Sequence, residues 1–211
     1  MSQPLARALA PGRPATDPGC AGCAQLALLR ALRRAGVEIQ GGIGCDPSAE
    51  ATFAASTGRW AAVTGARRLL REGASEVVQA ASQAGARLLV IADRVAPVRL
   101  ASVEGALARA GARALWLDLD DAAATEAGVR EALERPGSVL LSLAPCVRGT
   151  PRAAPLAVEA ALCNRCGACL SLACPALSDD GEEAVAVDPA VCTGCGRCAP
   201  LCRSRALRPA G

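Results

Sequence analysis

Eight of the chain's twelve cysteines fall within its last fifty residues, in two runs. The first is Cys163-x2-Cys166-x2-Cys169-x4-Cys174-Pro175 and the second Cys192-x2-Cys195-x2-Cys198-x3-Cys202. Three thiolates at successive spacings of three wrap one face of a cubane iron–sulfur cluster, and a fourth closes it. Zinc ribbons also use Cys-x2-Cys knuckles, but three cysteines in step suit tetrahedral zinc poorly. The other four, Cys20, Cys23, Cys45 and Cys146, are spread over the first 150 residues. They suit a third cluster, against the plainer readings of a structural zinc or of small buried core residues. The chain has no histidine, so a Ser-His or Cys-His catalytic pair is excluded.

The two cysteine runs lie in a repeat. Residues 156–177 and 184–207 each place an apolar stretch before a cysteine triplet and a fourth cysteine shortly after it. This is the pattern of a two-cluster ferredoxin, in which the fourth cysteine of each half ligates the other half's cluster. It assigns Cys163, Cys166, Cys169 and Cys202 to one [4Fe-4S] cluster, and Cys192, Cys195, Cys198 and Cys174 to the other. The second run has Arg203 where a proline usually follows, a change in the local turn more than in ligation.

Composition narrows the partners. With 52% apolar residues the chain has ample core for an α/β domain plus a small module. Phe53, Trp60 and Trp116 are its only aromatics, too few for base stacking, so nucleic acid is not an expected partner. No apolar run approaches the ~18 residues of a membrane span, and the first fifteen residues lack a signal-peptide core, so no membrane is expected and the cytoplasm is the expected compartment. Thiols stay reduced there, which favours metal ligation over disulfides. The formal charge of +3 counts each cysteine as a neutral thiol. Three clusters at about −2 each would bring it to about −3, so the basicity does not indicate an acidic partner. Arg197, Arg203, Arg205 and Arg208 form a solvated face, with docking of an acidic redox partner as the sharper alternative.

The elements that must position these thiols follow from periodicity. Residues 1–18 are rich in Pro and Ala and read as a flexible lead-in. A helix is expected over 24–35, ended by Gly36, then a short strand at 37–39 leading into the Gly41-Gly42-Ile43-Gly44 turn that presents Cys45. Strands at 60–64, 87–92, 113–119 and 138–144 alternate with helical patterns at 66–84, 99–110 and 121–135, the signature of a parallel sheet with right-handed crossovers. Trp60 and Trp116 sit within strands and are assigned to the core. Cys45 and Cys146 follow the first and last strands, at the carboxyl edge where such sheets bind ligands. The pair Cys20 and Cys23 opens the first helix, whose amides favour thiolates. The expected organisation is an α/β domain over 19–147, a linker at 148–155 and a small α+β ferredoxin domain over 156–211.

The order Cys-x2-Cys, Gly-Ile-Gly-Cys, a late Pro-Cys and a terminal dicluster module resembles the C-terminal half of the indolepyruvate:ferredoxin oxidoreductase large subunit. More broadly it is similar to the thiamine-diphosphate domain of 2-oxoacid:ferredoxin oxidoreductases. The resemblance implies a thiamine-diphosphate-enzyme-like fold for the front domain and a cluster on Cys20, Cys23, Cys45 and Cys146. It also exposes departures. Where the family holds magnesium with an aspartate after glycine and an asparagine after aspartate, this chain has Gly65-Ala66 and Asp93-Arg94. Alanine offers no oxygen and arginine brings a positive charge, so thiamine diphosphate and magnesium are not expected. Gln25 stands at the family's histidine, the stretch from Cys45 to Gly65 is shortened, and the domain that supplies the activating glutamate is not among these residues. A metal-free anion site on Gly65, Arg67, Arg68 and Arg94 is a further possibility.

Two functions therefore compete. One is a non-catalytic electron-transfer protein or subunit that works with redox partners. The other is an active 2-oxoacid:ferredoxin oxidoreductase subunit, with a partner chain supplying the missing domain.

Overall fold

Residues 20–45, 47–56, 58–94, 97–179 and 184–210 are described by the computed structural model of the chain, and the lead-in expected over 1–18 lies outside them. Five strands, β1 (Glu38–Gly41), β2 (Trp60–Thr64), β3 (Leu88–Asp93), β4 (Arg113–Trp116) and β5 (Ser138–Leu143), form a sheet of order β1-β2-β3-β5-β4. Every pairing in it is parallel. The central strands β2 and β3 are buried along their whole length, as expected of a sheet covered on both faces. Their apolar runs made them legible without alternation.

Helices α1 (Gln25–Arg34), α2 (Ala66–Glu72), α3 (Ala74–Gln83), α4 (Pro97–Arg109) and α5 (Ala122–Glu134) alternate with the strands. The helix expected over 66–84 is two helices, because Gly73 takes φ 102°, ψ 142° between them. Only glycine adopts that conformation without strain. The Asp121 carboxylate caps α5 by accepting from the amides of Ala123 and Ala124.

The strand expected over 113–119 stops at Trp116, and that tryptophan is not in the core. β4 is an edge strand, so the indole is 44% exposed and donates its Nε1–H to Glu104 Oε1 at 2.6 Å. Trp60, on a central strand, is fully buried.

The chain divides into two compact units, one of residues 31–145 and the other of the described residues up to Arg30 together with those from Cys146 on. This differs from the expected boundaries at 19–147, 148–155 and 156–211. The physical reason lies in Leu26, which is buried in one cluster with Leu156, Leu172, Val185 and Leu207. Residues 20–30 and 146–155 therefore fold with the cysteine repeat. The sheet unit has its own core of Trp60, Leu69, Val77, Ile91, Val103, Leu107 and Leu141. The repeat unit contains two antiparallel ribbons, β6 (Leu156–Val158) with β9 (Leu207–Pro209), and β7 (Leu177–Asp179) with β8 (Val185–Val187).

Candidate metal centre

The cysteine repeat is visible in the backbone. In each half a 3-10 turn, Leu170–Leu172 or Ala199–Leu201, follows the third cysteine directly. The residues two and four beyond each first cysteine have positive φ: Arg165 (54°) and Gly167 (67°), then Gly194 (68°) and Gly196 (74°). Left-handed residues at such positions are a component of the concave nests that bind anions and iron–sulfur clusters. Ala173 is left-handed as well, at φ 55°, and redirects the chain into Cys174.

That redirection sends Cys174 across the repeat. As thiolates, Cys195 and Cys192 lie close enough to repel Cys174. Cys198 is in turn within the field of Cys195, Cys174 and Cys192. In the other direction, Cys169 feels Cys202 and Cys166. Each fourth cysteine thus stands beside cysteines of the opposite half. Cys163 is half-buried and packs against the same core. Among the described residues, no three His, Cys, Asp or Glu side chains converge on a point that one ion would fill.

Burial sets the acidity of these thiols. It pushes Cys198 up to about 12, with repulsion from Cys195 and Cys174 adding to it. Cys169 and Cys174 are raised too, again chiefly by burial. Cys202 is lowered: its burial acts upward but is outweighed by hydrogen bonds from the Ser204 hydroxyl and the amides of Ala206, Leu207 and Ser204. The Ala206 amide donates to its sulfur at 3.3 Å. The amides of Leu156 and Gly194 donate to Cys192 Sγ, both at 3.5 Å, and those of Ala176 and Gly22 to Cys174. Donors of this kind stabilise a thiolate and offset the negative charge of a cluster.

Between Cys174, Cys192, Cys195 and Cys198 lies a cleft enclosing about 380 Å³ of non-atom space, part of it open to solvent. Leu26, Leu156, Leu172 and Val187 supply its apolar wall. Thr193 also lines it, and the Thr193 hydroxyl oxygen is buried with no hydrogen-bond partner. Four sulfurs, amide donors and an unsatisfied hydroxyl around one apolar cleft fit a [4Fe-4S] cluster.

Of the four N-terminal-domain cysteines, Cys20, Cys23 and Cys146 belong to the repeat unit and Cys45 to the sheet unit. The Cys23 amide donates to the Cys20 carbonyl at 2.9 Å, closing the turn. Cys20 Sγ accepts from Arg148 Nε at 3.1 Å. Cys146 is half-buried ahead of the 3-10 turn Val147–Gly149, and Cys45 is exposed.

The arginines of the proposed anion site are not gathered on the Gly65 turn. Arg68 is buried, but its Nε donates to Glu72 Oε2 at 2.9 Å and its Nη1 to the Ala51 carbonyl at 2.6 Å. Its guanidinium lies 4.9 Å from the Phe53 ring centroid. Arg67 and Arg94 are exposed. The place an anion would take is filled from within: Asp93 Oδ2 accepts from the Ala66 amide at 2.8 Å and Oδ1 from the Arg94 amide at 2.7 Å. Gly44 and Gly65 make room for this carboxylate, since a Cβ on Gly44 would stand 2.2 Å from it. A Cβ on Gly65 would meet Gly44 Cα at 2.6 Å. In the sequence Asp93 was only the first residue of the Asp93-Arg94 pair; nothing in its spacing showed that it accepts from the first amide of α2.

Compared with known proteins, residues 185–208 match the family model of the 4Fe-4S binding domain, which covers the second cysteine run. No curated protein and no solved structure matches the chain. Among the described residues, no helix is long and apolar enough to cross a membrane. The chain therefore carries a 4Fe-4S binding domain and a parallel α/β domain, and the match supports an iron–sulfur electron-transfer role.

Proposed function

We propose that the chain is a non-catalytic electron-transfer protein, or the electron-transfer subunit of an oxidoreductase complex, with two [4Fe-4S] clusters in its cysteine repeat. Cys163, Cys166, Cys169 and Cys202 hold one, and Cys174, Cys192, Cys195 and Cys198 the other. The observation that carries this reading is the grouping of Cys174 with the triplet of the opposite half. The expectation of a third ligand set on Cys20, Cys23, Cys45 and Cys146 rests on their number and order in the sequence. Each cluster takes up and passes on one electron, and the protein contributes burial and hydrogen bonds to sulfur.

Thiamine chemistry is not part of this function. Ala66 and Arg94 lack the metal-binding oxygens, and the Asp93 carboxylate accepts from the amides of Ala66, at the start of α2, and of Arg94.

The test is anaerobic purification followed by measurement of iron, sulfide, zinc and thiamine diphosphate per chain. About twelve irons without thiamine support the full reading, and about eight confine it to the repeat. Bound thiamine diphosphate, or a reduced protein that passes no electrons to any ferredoxin or flavin acceptor, overturns it.

A further inference from the structure

The Thr193 hydroxyl is buried and makes no hydrogen bond. Leaving a buried donor unmade is costly, so such a group needs a reason. Its setting supplies one. Thr193 lies between two ligands of the second run, Cys192 and Cys195, and lines the cleft they share with Cys174 and Cys198.

Gly22 keeps the hydroxyl in place. The point a Gly22 Cβ would occupy is 2.1 Å from Thr193 Oγ1 and 3.3 Å from Cys195 Sγ. Hydroxyl and sulfur thus flank one spot that only a glycine leaves open, and Gly22 has the positive φ of 77° that favours glycine. The Thr193 carbonyl is fixed too, accepting from the Ala153 amide at 3.1 Å.

We propose that Thr193 is a potential-setting residue: its hydroxyl donates a hydrogen bond to a sulfur of the cluster held by Cys174, Cys192, Cys195 and Cys198. This rests on the ligand assignment above and adds a side-chain donor to the amide donors around that cluster. Reduction adds one electron from a low-potential one-electron donor and makes the cluster more negative, with no bond or proton exchanged. A donor aimed at sulfur stabilises the reduced state more than the oxidised one, which raises the potential. The matching position of the other half carries Asn164, whose Oδ1 accepts from the Cys166 amide at 3.3 Å. The two clusters therefore differ in side-chain donors at the same step of the repeat.

The test compares T193V, which keeps shape and loses the hydroxyl, with T193S, which keeps the hydroxyl, in the holoprotein prepared anaerobically. Iron content and potentials are read by redox titration followed by electron paramagnetic resonance. In T193V one cluster becomes harder to reduce, by about tenfold in its reduction equilibrium or about 59 mV for one electron. The other cluster is unmoved, and T193S stays near the parent. Unchanged potentials in T193V with iron retained overturn the proposal, as does an equal shift in T193S, which would mark a packing effect. The unaltered protein gives a second readout. Its reduced clusters, exchanged into deuterium oxide, show a coupled exchangeable proton that T193V lacks. Absence of such a proton in the parent overturns the proposal even if T193V fails to load iron. A chain with no cluster at Cys174, Cys192, Cys195 and Cys198 shows instead as a loss of four irons in the parent, the separate failure of the ligand assignment.

Discussion

At the scale of single residues, a cysteine's position along the chain does not identify its cluster. Cys174 is five residues from Cys169 and eighteen from Cys192, yet it is with Cys192, Cys195 and Cys198 that its charge interacts. Non-additivity tests this. Removing two ligands of one cluster costs little more than removing one, while ligands of separate clusters add. C174S and the pair C174S/C195S should each lose about four irons per chain, and C174S/C166S about eight, read by iron and sulfide analysis. If Cys174 served its own half, the outcomes of the two double variants would be exchanged. Asp93 is a second case in which charge and backbone act together. Its buried carboxylate accepts from two amides, one at the start of α2. Hydrogen bonds to a charged group contribute about 1.5–3 kcal/mol, so D93A should destabilise the sheet unit by an amount of that order, read as a lower melting temperature. G44A, which drives a methyl group into the same carboxylate, should be destabilising as well.

At the scale of elements, legibility followed burial. β2 was read to the residue because a strand buried on both faces has no polar interruption, and α5, expected over 121–135, runs Ala122–Glu134. The break at Gly73 was not legible. A lone glycine within an apolar helical pattern is tolerated at about 1 kcal/mol, and only the backbone angles show that the chain turns there. They also supply an expectation: G73A should destabilise by about 1–3 kcal/mol in chemical denaturation. The methyl group itself meets only the end of the Glu76 side chain, which can swing away. The spacing of the second cysteine run told its chemistry from the sequence, and residues 185–208 match the 4Fe-4S binding domain. Leu26 showed the limit of pattern. Its apolar position announced a buried residue without saying which core it entered, and the domain boundary moved with it.

At the scale of the molecule, the two units rest on different kinds of core. The sheet unit is filled by Trp60, Leu, Ile and Val side chains that need no metal. The repeat unit counts Cys169 and Cys198 among its buried residues, with Cys23, Cys163, Cys174, Cys192 and Cys202 packed around them. Its ribbons are three residues per strand, so iron must supply much of what the apolar core does not. Chelation under reducing conditions should therefore destabilise the repeat unit and lower its melting transition, while the parallel sheet keeps its circular dichroism and its own transition. Acidity gives that destabilisation a direction with pH. A folded apo chain holds the Cys198 proton up to about pH 12, whereas an unfolded thiol gives it up from the ordinary value of 9.0. This contribution is complete below pH 9 and is lost as pH rises toward 12, so the apo repeat unit should weaken with alkalinity. In the loaded protein the same sulfurs must be deprotonated, so reconstitution near pH 7 should release protons to an indicator dye as iron enters, and C198S should release fewer. Equal proton release from both proteins would mean that Cys198 is not a ligand.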